Sequence, residues 1–197
     1  MIWKPSFSLP QLLEDYTKIS EIEALRWKCW QPYLEPNQEV YPDSVKDAFD
    51  WCSIHFVCTD EFGSIIGANR ITVLQNIDEL PFSAILDKSL YPQGNIAYFS
   101  RLVVDPLFRK KGIKEALDQA RSQYLASLKG TYGLGLYGYH RLKDVMHQGF
   151  ASIQVIESGT ECFFPYHRRT LHVMALDGER VQAMGLSSST LEDKEVI

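Results

Sequence analysis

Residues Arg101–Arg121, RLVVDPLFRKKGIKEALDQAR, decide how this chain is read. An apolar run ending in Val103-Val104 is stopped by Asp105-Pro106. The cations Arg109, Lys110 and Lys111 then lead into Gly112-Ile113-Lys114 and an uninterrupted amphipathic stretch. The pattern predicts a buried strand over Asn95–Val104, a short basic loop, and a helix from Gly112 to about Leu128. Ile113, Ala116, Leu117, Ala120, Tyr124 and Leu128 form that helix's apolar stripe. A helix N-terminus leaves backbone N–H groups unpaired, with the positive end of the macrodipole behind them. Glycine there lets backbone approach a ligand with no Cβ in the way. With Lys114 added to the three loop cations, the segment has the ingredients of a pyrophosphate site. Taken alone, Arg-Lys-Lys-Gly describes a solvated loop; its setting between a buried strand and a long helix gives it weight. It is neither a Walker A loop, which needs a second Gly and Gly-Lys-Ser/Thr, nor a GxGxxG turn.

Upstream, Ser20-Glu21-Ile22-Glu23 reads as a capping box opening a helix. Ile22, Leu25, Cys29 and Trp30 fall at helical spacing, with Arg26 beside the stripe. Residues 31–50 hold Pro32, Pro36, Pro42 and several acids, and predict a loop ending in a short helix around Ser44–Trp51. Ser53–Thr59 and Ser64–Val73 flank an Asp60-Glu61-Phe62-Gly63 turn as a hairpin. A helical piece near Phe82–Leu86 and a Tyr91-Pro92-Gln93-Gly94 turn precede the central strand. Downstream, Gly130 ends the long helix, Tyr132–Tyr139 is a glycine-broken strand, and Arg141–His147 makes one or two helical turns. Phe150–Glu157 and Thr170–Leu176 are strands, separated by Ser158-Gly159 and an irregular aromatic stretch. The expected fold class is α/β (α+β), a mixed, mostly antiparallel sheet flanked by helices. One domain is expected over residues 1–177, followed by a loose polar tail over 178–197.

The 197 residues are 45% hydrophobic and 23% charged, which excludes disordered, collagen-like and coiled-coil classes. A chain of this length buries roughly 70% of its unfolded surface. No apolar run approaches the ~20 residues of a bilayer span. The first residues, MIWKPSFSLPQLLED, lack the continuous apolar core of a secretory signal, and a cytoplasmic location is expected. A net charge of −5 argues against general nucleic-acid binding. Cys29, Cys52, Cys58 and Cys162 include no CxxC pair and are expected as reduced packing residues. The histidines give no HExxH and no zinc spacing, so no structural metal is expected.

Over about residues 50–176 the chain resembles the GNAT N-acyltransferases. The likeness is carried by Arg109-Lys110-Lys111-Gly112-Ile113-Lys114 between strand and helix, and by His140–Phe150, HRLKDVMHQGF, a short helix ending in Gly-Phe. The family's [RQ]xxGx[GA] loop binds the pyrophosphate of acyl-CoA, so the resemblance implies that role for Arg109–Lys114. Lys114 stands where the family has its second Gly or Ala. The resemblance further implies backbone contacts from Leu102, Val103 and Val104 to pantetheine and thioester. Acetyl-CoA or a longer acyl-CoA is the implied donor, and a small-molecule amine or amino acid the implied acceptor. Many members keep a Glu on the strand as base and a Tyr on the short helix as acid; Ser100 and Val145 occupy those places here. The nearby candidates for handling protons are Tyr98, Ser100, Tyr139 and His140, with Tyr137 and His147 in the same segments. His140 replaces a family Asn and titrates near neutrality. A hydrogen-bonded junction histidine and core tyrosines are the competing readings.

LRWKCW (Leu25–Trp30) and SRLVV (Ser100–Val104) are similar to a subset of that superfamily, the autoinducer (acyl-homoserine lactone) synthases and related N-acyl amino acid synthases. Arg26, Trp30, Arg70 and Arg101 fall where that subset places Arg, an aromatic, Arg and Arg, which implies contacts to substrate. Tyr98 replaces an acid, and Asp43 and Asp47 meet the acidic loop pattern only loosely. This likeness implies an acyl carrier protein as an alternative donor, and a homodimer is compatible with it. An arginine in an apolar strand is costly unless paired, so Arg70 and Arg101 each need an internal carboxylate or a ligand's. Replacement of the usual acids leaves a third reading, an acyl-CoA-binding module without catalysis.

Overall fold

The computed structural model describes residues 7–33, 45–46, 48–157 and 170–177. Asp43, Asp47, Cys162, the aromatic stretch over 158–168 and the tail over 178–197 lie outside the described residues. The main elements are β1 (Gln11–Leu12), α1 (Ile19–Trp30), β2 (Ile54–Thr59), β3 (Ile65–Leu74) and β4 (Asn95–Val104). They continue with α2 (Ile113–Ser127), β5 (Thr131–Gly138), α3 (Tyr139–His147), β6 (Ala151–Ile156) and β7 (Leu171–Asp177). The seven strands form a sheet in the order β1-β2-β3-β4-β5-β7-β6. It is mostly antiparallel; β4 and β5 run parallel, which requires the crossover that α2 supplies.

Two local features differ from the sequence reading. Ser20 lies inside α1 rather than capping it, because a 3-10 turn over Tyr16–Lys18 runs directly into the helix. That turn is capped by Asp15, whose carboxylate accepts from the Thr17 N–H at 3.0 Å, and α1 itself has no side-chain cap. The second is β1, two exposed residues paired with Phe56 and Val57 of β2, with no side-chain pattern to announce them.

The chain folds as two compact units, one within residues 1–72 and 100–121, the other within 73–99 and 122–197. In the first, the α1 stripe of Ile19, Ile22, Leu25 and Cys29 packs with Leu13, Val57, Ile65, Ala68 and Val103. Successive residues of β3 point to opposite faces. Ala68 joins that core, while Gly67 and Asn69 meet α2: the Asn69 amide donates to the Leu117 carbonyl at 2.6 Å. A Cβ at Gly67 would lie 2.7 Å from Ile113 Cγ2 and 3.2 Å from Leu117 Cδ1, so the missing side chain is what seats α2 against the strand. In the second unit, β5 pairs with β7 and β7 with β6, both antiparallel. Phe99, Phe150 and Tyr137 make successive edge-to-face contacts, each 5.7 Å between centroids. Cys29 and Cys58 are buried free thiols and Cys52 an exposed one. No helix among the described residues is long and apolar enough to cross a membrane.

Gly67→Ala tests the seating of α2. A β-branched Ile113 methyl in a helix cannot rotate away. The variant is therefore expected to lose about 1–3 kcal/mol in denaturant unfolding. An unchanged or raised midpoint would show that helix and strand are not in the close contact described.

Candidate active site

The strand that leads to the basic loop is held at its end by one carboxylate. The Asp105 N–H donates to the Ile66 carbonyl at 2.8 Å, and its side chain accepts from the Leu107 N–H at 3.0 Å, capping the turn Pro106–Phe108. Lys28 of α1 donates to its other oxygen at 2.7 Å. Burial alone would raise the Asp105 carboxyl; the bonds from Lys28 and Leu107 outweigh it and hold the group below its ordinary value. Within the loop Lys110 and Gly112 have positive φ, +61° and +87°. A Cβ at Gly112 would meet nothing within 4 Å, so the backbone is open to approach there. Ile113 is buried and anchors the helix, whose Ala116 N–H donates to the Gly112 carbonyl at 3.0 Å.

The loop cations are not equivalent. Arg109 Nε donates back to the Val104 carbonyl at 3.3 Å, the same oxygen that receives the Cys29 thiol at 3.3 Å. Lys111 Nζ lies 4.7 Å from the centre of the Phe108 ring. Lys114 pairs with Glu115 at 3.0 Å. Two of the cations thus brace the loop itself, and the exposed Lys110 and Gly112 face solvent at the start of α2. Val103 is buried against α1, while Leu102 and Val104 are half-buried.

A second constellation sits upstream on the same strand. Asp50, in the 3-10 turn Ala48–Cys52, is fully buried, and its carboxylate receives two guanidinium groups. Arg26 binds it in a fork, Nη1 to Oδ2 at 2.6 Å and Nη2 to Oδ1 at 2.8 Å; Arg70 Nη1 donates to Oδ1 at 2.9 Å. Both arginines are 1% exposed. Arg70 Nε donates to Ser100 Oγ on β4 at 3.1 Å. Burial raises the Asp50 carboxyl, but the hydrogen bonds and charges of Arg26 and then Arg70 bring it below its ordinary value of 3.8. His55, the cross-strand partner of Arg70, has Nε2 2.9 Å from the Asp50 backbone carbonyl. A carbonyl only accepts, so Nε2 carries the proton and the buried Nδ1 is bare, without a hydrogen-bond partner. Burial foremost, then the charges of Arg26 and Arg70, push the His55 pKa below 6.5.

Beside Ser100, Arg101 is left-handed, with φ +58° in the middle of β4. That conformation costs a non-glycine residue about 1–3 kcal/mol and interrupts strand alternation. Consecutive side chains therefore engage groups tied to α1: Ser100 reaches Arg70, and the Arg101 guanidinium lies 5.2 Å from the centre of the Trp30 ring.

The first unit thus brings together Arg26, Arg70 and Ser100, sets Arg101 on Trp30, and carries Leu102–Val104 and the loop on one continuous stretch. Asp50 and His55 were missed by sequence reasoning, which looked to Asp43 and Asp47 for the acid. The signal was an acid enclosed by apolar residues, Ala48-Phe49-Asp50-Trp51. Tyr98, Tyr139 and His140 belong to the second unit and occupy different settings there. Tyr98 is 4% exposed with its ring 5.6 Å from Phe82, a core aromatic. Tyr139 is 83% exposed where α3 begins. The His140 ring lies back over the strand end, 3.2 Å from where a Gly138 Cβ would be. Val145 is fully buried, His147 is exposed, and the Tyr137 ring covers Gly135. No group of three or more His, Cys, Asp or Glu among the described residues could hold a metal ion.

This strand order, with the parallel β4–α2–β5 crossover and a glycine-led helix after β4, is the fold of the GNAT N-acyltransferases. Among solved structures the chain is similar to FeeM, an N-acyl amino acid synthase from uncultured soil microbes. That match has a TM-score of 0.67 and 11% identity, over 91% of this chain and 95% of that one. It is also similar to a spermidine N-acetyltransferase SpeG chimera from Vibrio cholerae and hSSAT, with TM-score 0.56 and 16% identity over 89% and 99% of the two chains. The ribosomal-protein-S18-alanine N-acetyltransferase from Escherichia coli matches with TM-score 0.55 and 12% identity over 85% and 92%. No family model matches the sequence, and no curated protein matches it.

The cluster makes stability pH-dependent in a definite direction. Because His55 titrates lower when folded, the unfolded chain takes up a proton below pH 6.5 that the folded chain refuses, and stability falls as pH drops through that window. Asp50 contributes stability above 3.8 that is lost as pH falls further, through its lower folded pKa. Unfolding midpoints measured from pH 7 downward should show the first decline in wild-type protein and a flatter one in His55→Gln. Identical slopes would remove His55 as the cause.

Proposed function

We propose that the protein is an N-acyltransferase that moves an acyl group from acyl-CoA to the amine of a small acceptor bearing a carboxylate. One observation carries this reading: β4 holds the kinked Ser100-Arg101 pair and Leu102–Val104, and the short turn and loop that follow it lead to the open Gly112 backbone. Pyrophosphate is assigned to the first turn of α2 and the loop, with Lys110 and Lys114 adding charge and Arg109, Lys111 and Ile113 fixing its shape. The pantetheine arm is assigned to the backbone of Leu102, Val103 and Val104. The acceptor carboxylate is assigned to the Arg101 fork, with Trp30 as the flat surface behind it. Arg26 and Arg70, bonded to buried Asp50, serve from inside. The amine nitrogen forms a bond to the thioester carbonyl carbon, the carbon–sulfur bond breaks, and the thiolate takes up a proton as the amine releases one to solvent. The fold's likeness to acyltransferases, among them an N-acyl amino acid synthase, supports the reaction class. Dependence on acyl-CoA fits a cytoplasmic enzyme. A carrier-protein thioester is a second donor reading, since Lys114 stands where the CoA loop of the family it resembles has a small residue.

Two measurements test this. Acyl-CoA at about 100 times its Kd should stabilise the fold by ~2.7 kcal/mol. For a chain of this size that is a rise of roughly 5–11 °C in Tm. Gly112→Glu, which puts a carboxylate where the phosphates lie, should abolish most of the rise. No rise with short or long acyl-CoA, or an equal rise in the variant, would exclude the donor assignment. Thiol release should be faster with amino acids than with their decarboxylated amines. Arg101→Lys should raise the acceptor KM about 10- to 100-fold while leaving donor KM unchanged. Equal KM values in variant and wild type would move the carboxylate elsewhere.

A further inference from the structure

A serine hydroxyl has one proton to donate and two lone pairs to accept with. At Ser100 one lone pair is taken by Arg70 Nε, 3.1 Å away, and a guanidinium accepts nothing in return. The Ser100 proton therefore points away from Arg70. Among the described residues the Arg70 bond is the one hydrogen bond this hydroxyl makes. Arg70 cannot swing aside: its Nη1 is bonded to Asp50, which Arg26 holds from the other side, and all three side chains are essentially without solvent contact. A hydroxyl that accepts from a cation is a stronger donor, because the chain of bonds polarises it. The result is a half-buried hydroxyl with fixed orientation, tuned to meet negative charge.

Resting on the donor assignment above, we propose that Ser100 is a catalytic residue that hydrogen-bonds the sulfur of the donor as it becomes a thiolate, and that Arg70, anchored by Asp50 and Arg26, is its positioning residue. Four residue steps separate Val104 from Ser100, about 13 Å of strand. A pantetheine arm that leaves its phosphates at Gly112 and lies along β4 spends its length over that distance. Its sulfur then comes to the kink, where Ser100 leaves the regular ladder. In the reaction the amine nitrogen bonds to the carbonyl carbon and the carbon–sulfur electron pair collects on sulfur. Ser100 donates a hydrogen bond to that charge without losing its proton, and the thiolate is then protonated from solvent. This role differs from that of a carboxylate at the same place: it stabilises the leaving group and abstracts nothing from the amine.

The test reads the thiol of bound CoA and needs no acceptor. In wild-type protein saturated with CoA, the thiolate ultraviolet band should appear at lower pH than for free CoA. Ser100→Ala should raise that midpoint by about one to two pH units, and Ser100→Thr, which keeps the hydroxyl, should restore it. Arg70→Met leaves Asp50 paired with Arg26 alone, so the buried charges still balance. It should raise the midpoint in the Ser100 protein, and much less in the Ser100→Ala protein. Such non-additivity is the mark of action through the hydroxyl. An unchanged midpoint in Ser100→Ala overturns the proposal while leaving CoA binding, and with it the donor assignment, standing. Equal Arg70→Met effects with and without the hydroxyl overturn the positioning role. Failure of CoA to bind the wild-type protein removes the donor assignment itself and this proposal with it.

Discussion

One carboxylate joins four elements of the first unit. Asp50 receives Arg26 from α1 and Arg70 from β3; its backbone carbonyl receives His55 from β2, and through Arg70 it reaches Ser100 on β4. Withdrawing ions from water costs several kcal/mol apiece, and the attraction offsets that only where geometry is good and remaining polar atoms are bonded. The fork from Arg26 and the three-way division of Arg70 among Asp50, Ser100 and the face of Phe49 meet the first half of that condition, while Arg26 Nε and His55 Nδ1 stay buried without a hydrogen-bond partner. An apolar core at these positions would hold the elements together as firmly. It would not fix the direction of the Ser100 hydroxyl, and a fixed direction is what the role proposed for that hydroxyl requires.

The kink at Arg101 depends on this anchoring. A left-handed arginine in a strand persists only when its surroundings over-determine it. Here the residue before it is tied to Arg70 and its own guanidinium lies on Trp30. The two residues after it return to the sheet, with Val103 in the α1 core. Farther along, the loop shows the same economy. Lys28 on Asp105 and Arg109 on Val104 fix the strand end, and Lys111 on Phe108 stiffens the turn. Gly112 is thereby presented at a defined place with nothing in front of it.

Legibility in the sequence followed distance along the chain. β4, written as NIAYFSRLVV and stopped by Asp-Pro, falls on the expected bounds, and α2 begins at Ile113, one residue after the Gly112 expected to open it. The hairpin of β2 and β3 agrees to within a residue or two. These elements declare themselves by periodicity and by local breakers. β1 does not, because both its residues are exposed and its existence is decided by β2. The basic loop before α2 was readable because its residues are contiguous. The Asp50 cluster was not, because its bonds join residues 20, 24 and 30 positions apart. Arg26 beside an apolar stripe and Arg70 within a strand announced that a carboxylate was needed; neither could say which of several acids would fold under them.

The serine at position 100 is consistent with that cluster in a way a glutamate would not be. A second carboxylate beside Arg70 would compete with Asp50 for the same guanidinium, and the fork from Arg26 would be left to hold Asp50 alone. Serine accepts from Nε without adding charge, so Asp50 keeps both arginines. The consequence is chemical. With no carboxylate at that point, the described side chains around the kink are donors: a hydroxyl and guanidinium groups. Such surroundings disfavour an ammonium ion, since like charges raise the cost of the protonated form. In the proposed reaction an amine approaching β4 would thereby be biased toward its neutral, nucleophilic state by repulsion rather than by a base. In the proposed reaction the same donors would favour the negative charge on the departing sulfur, so replacing one acid would change both halves of the proton problem together.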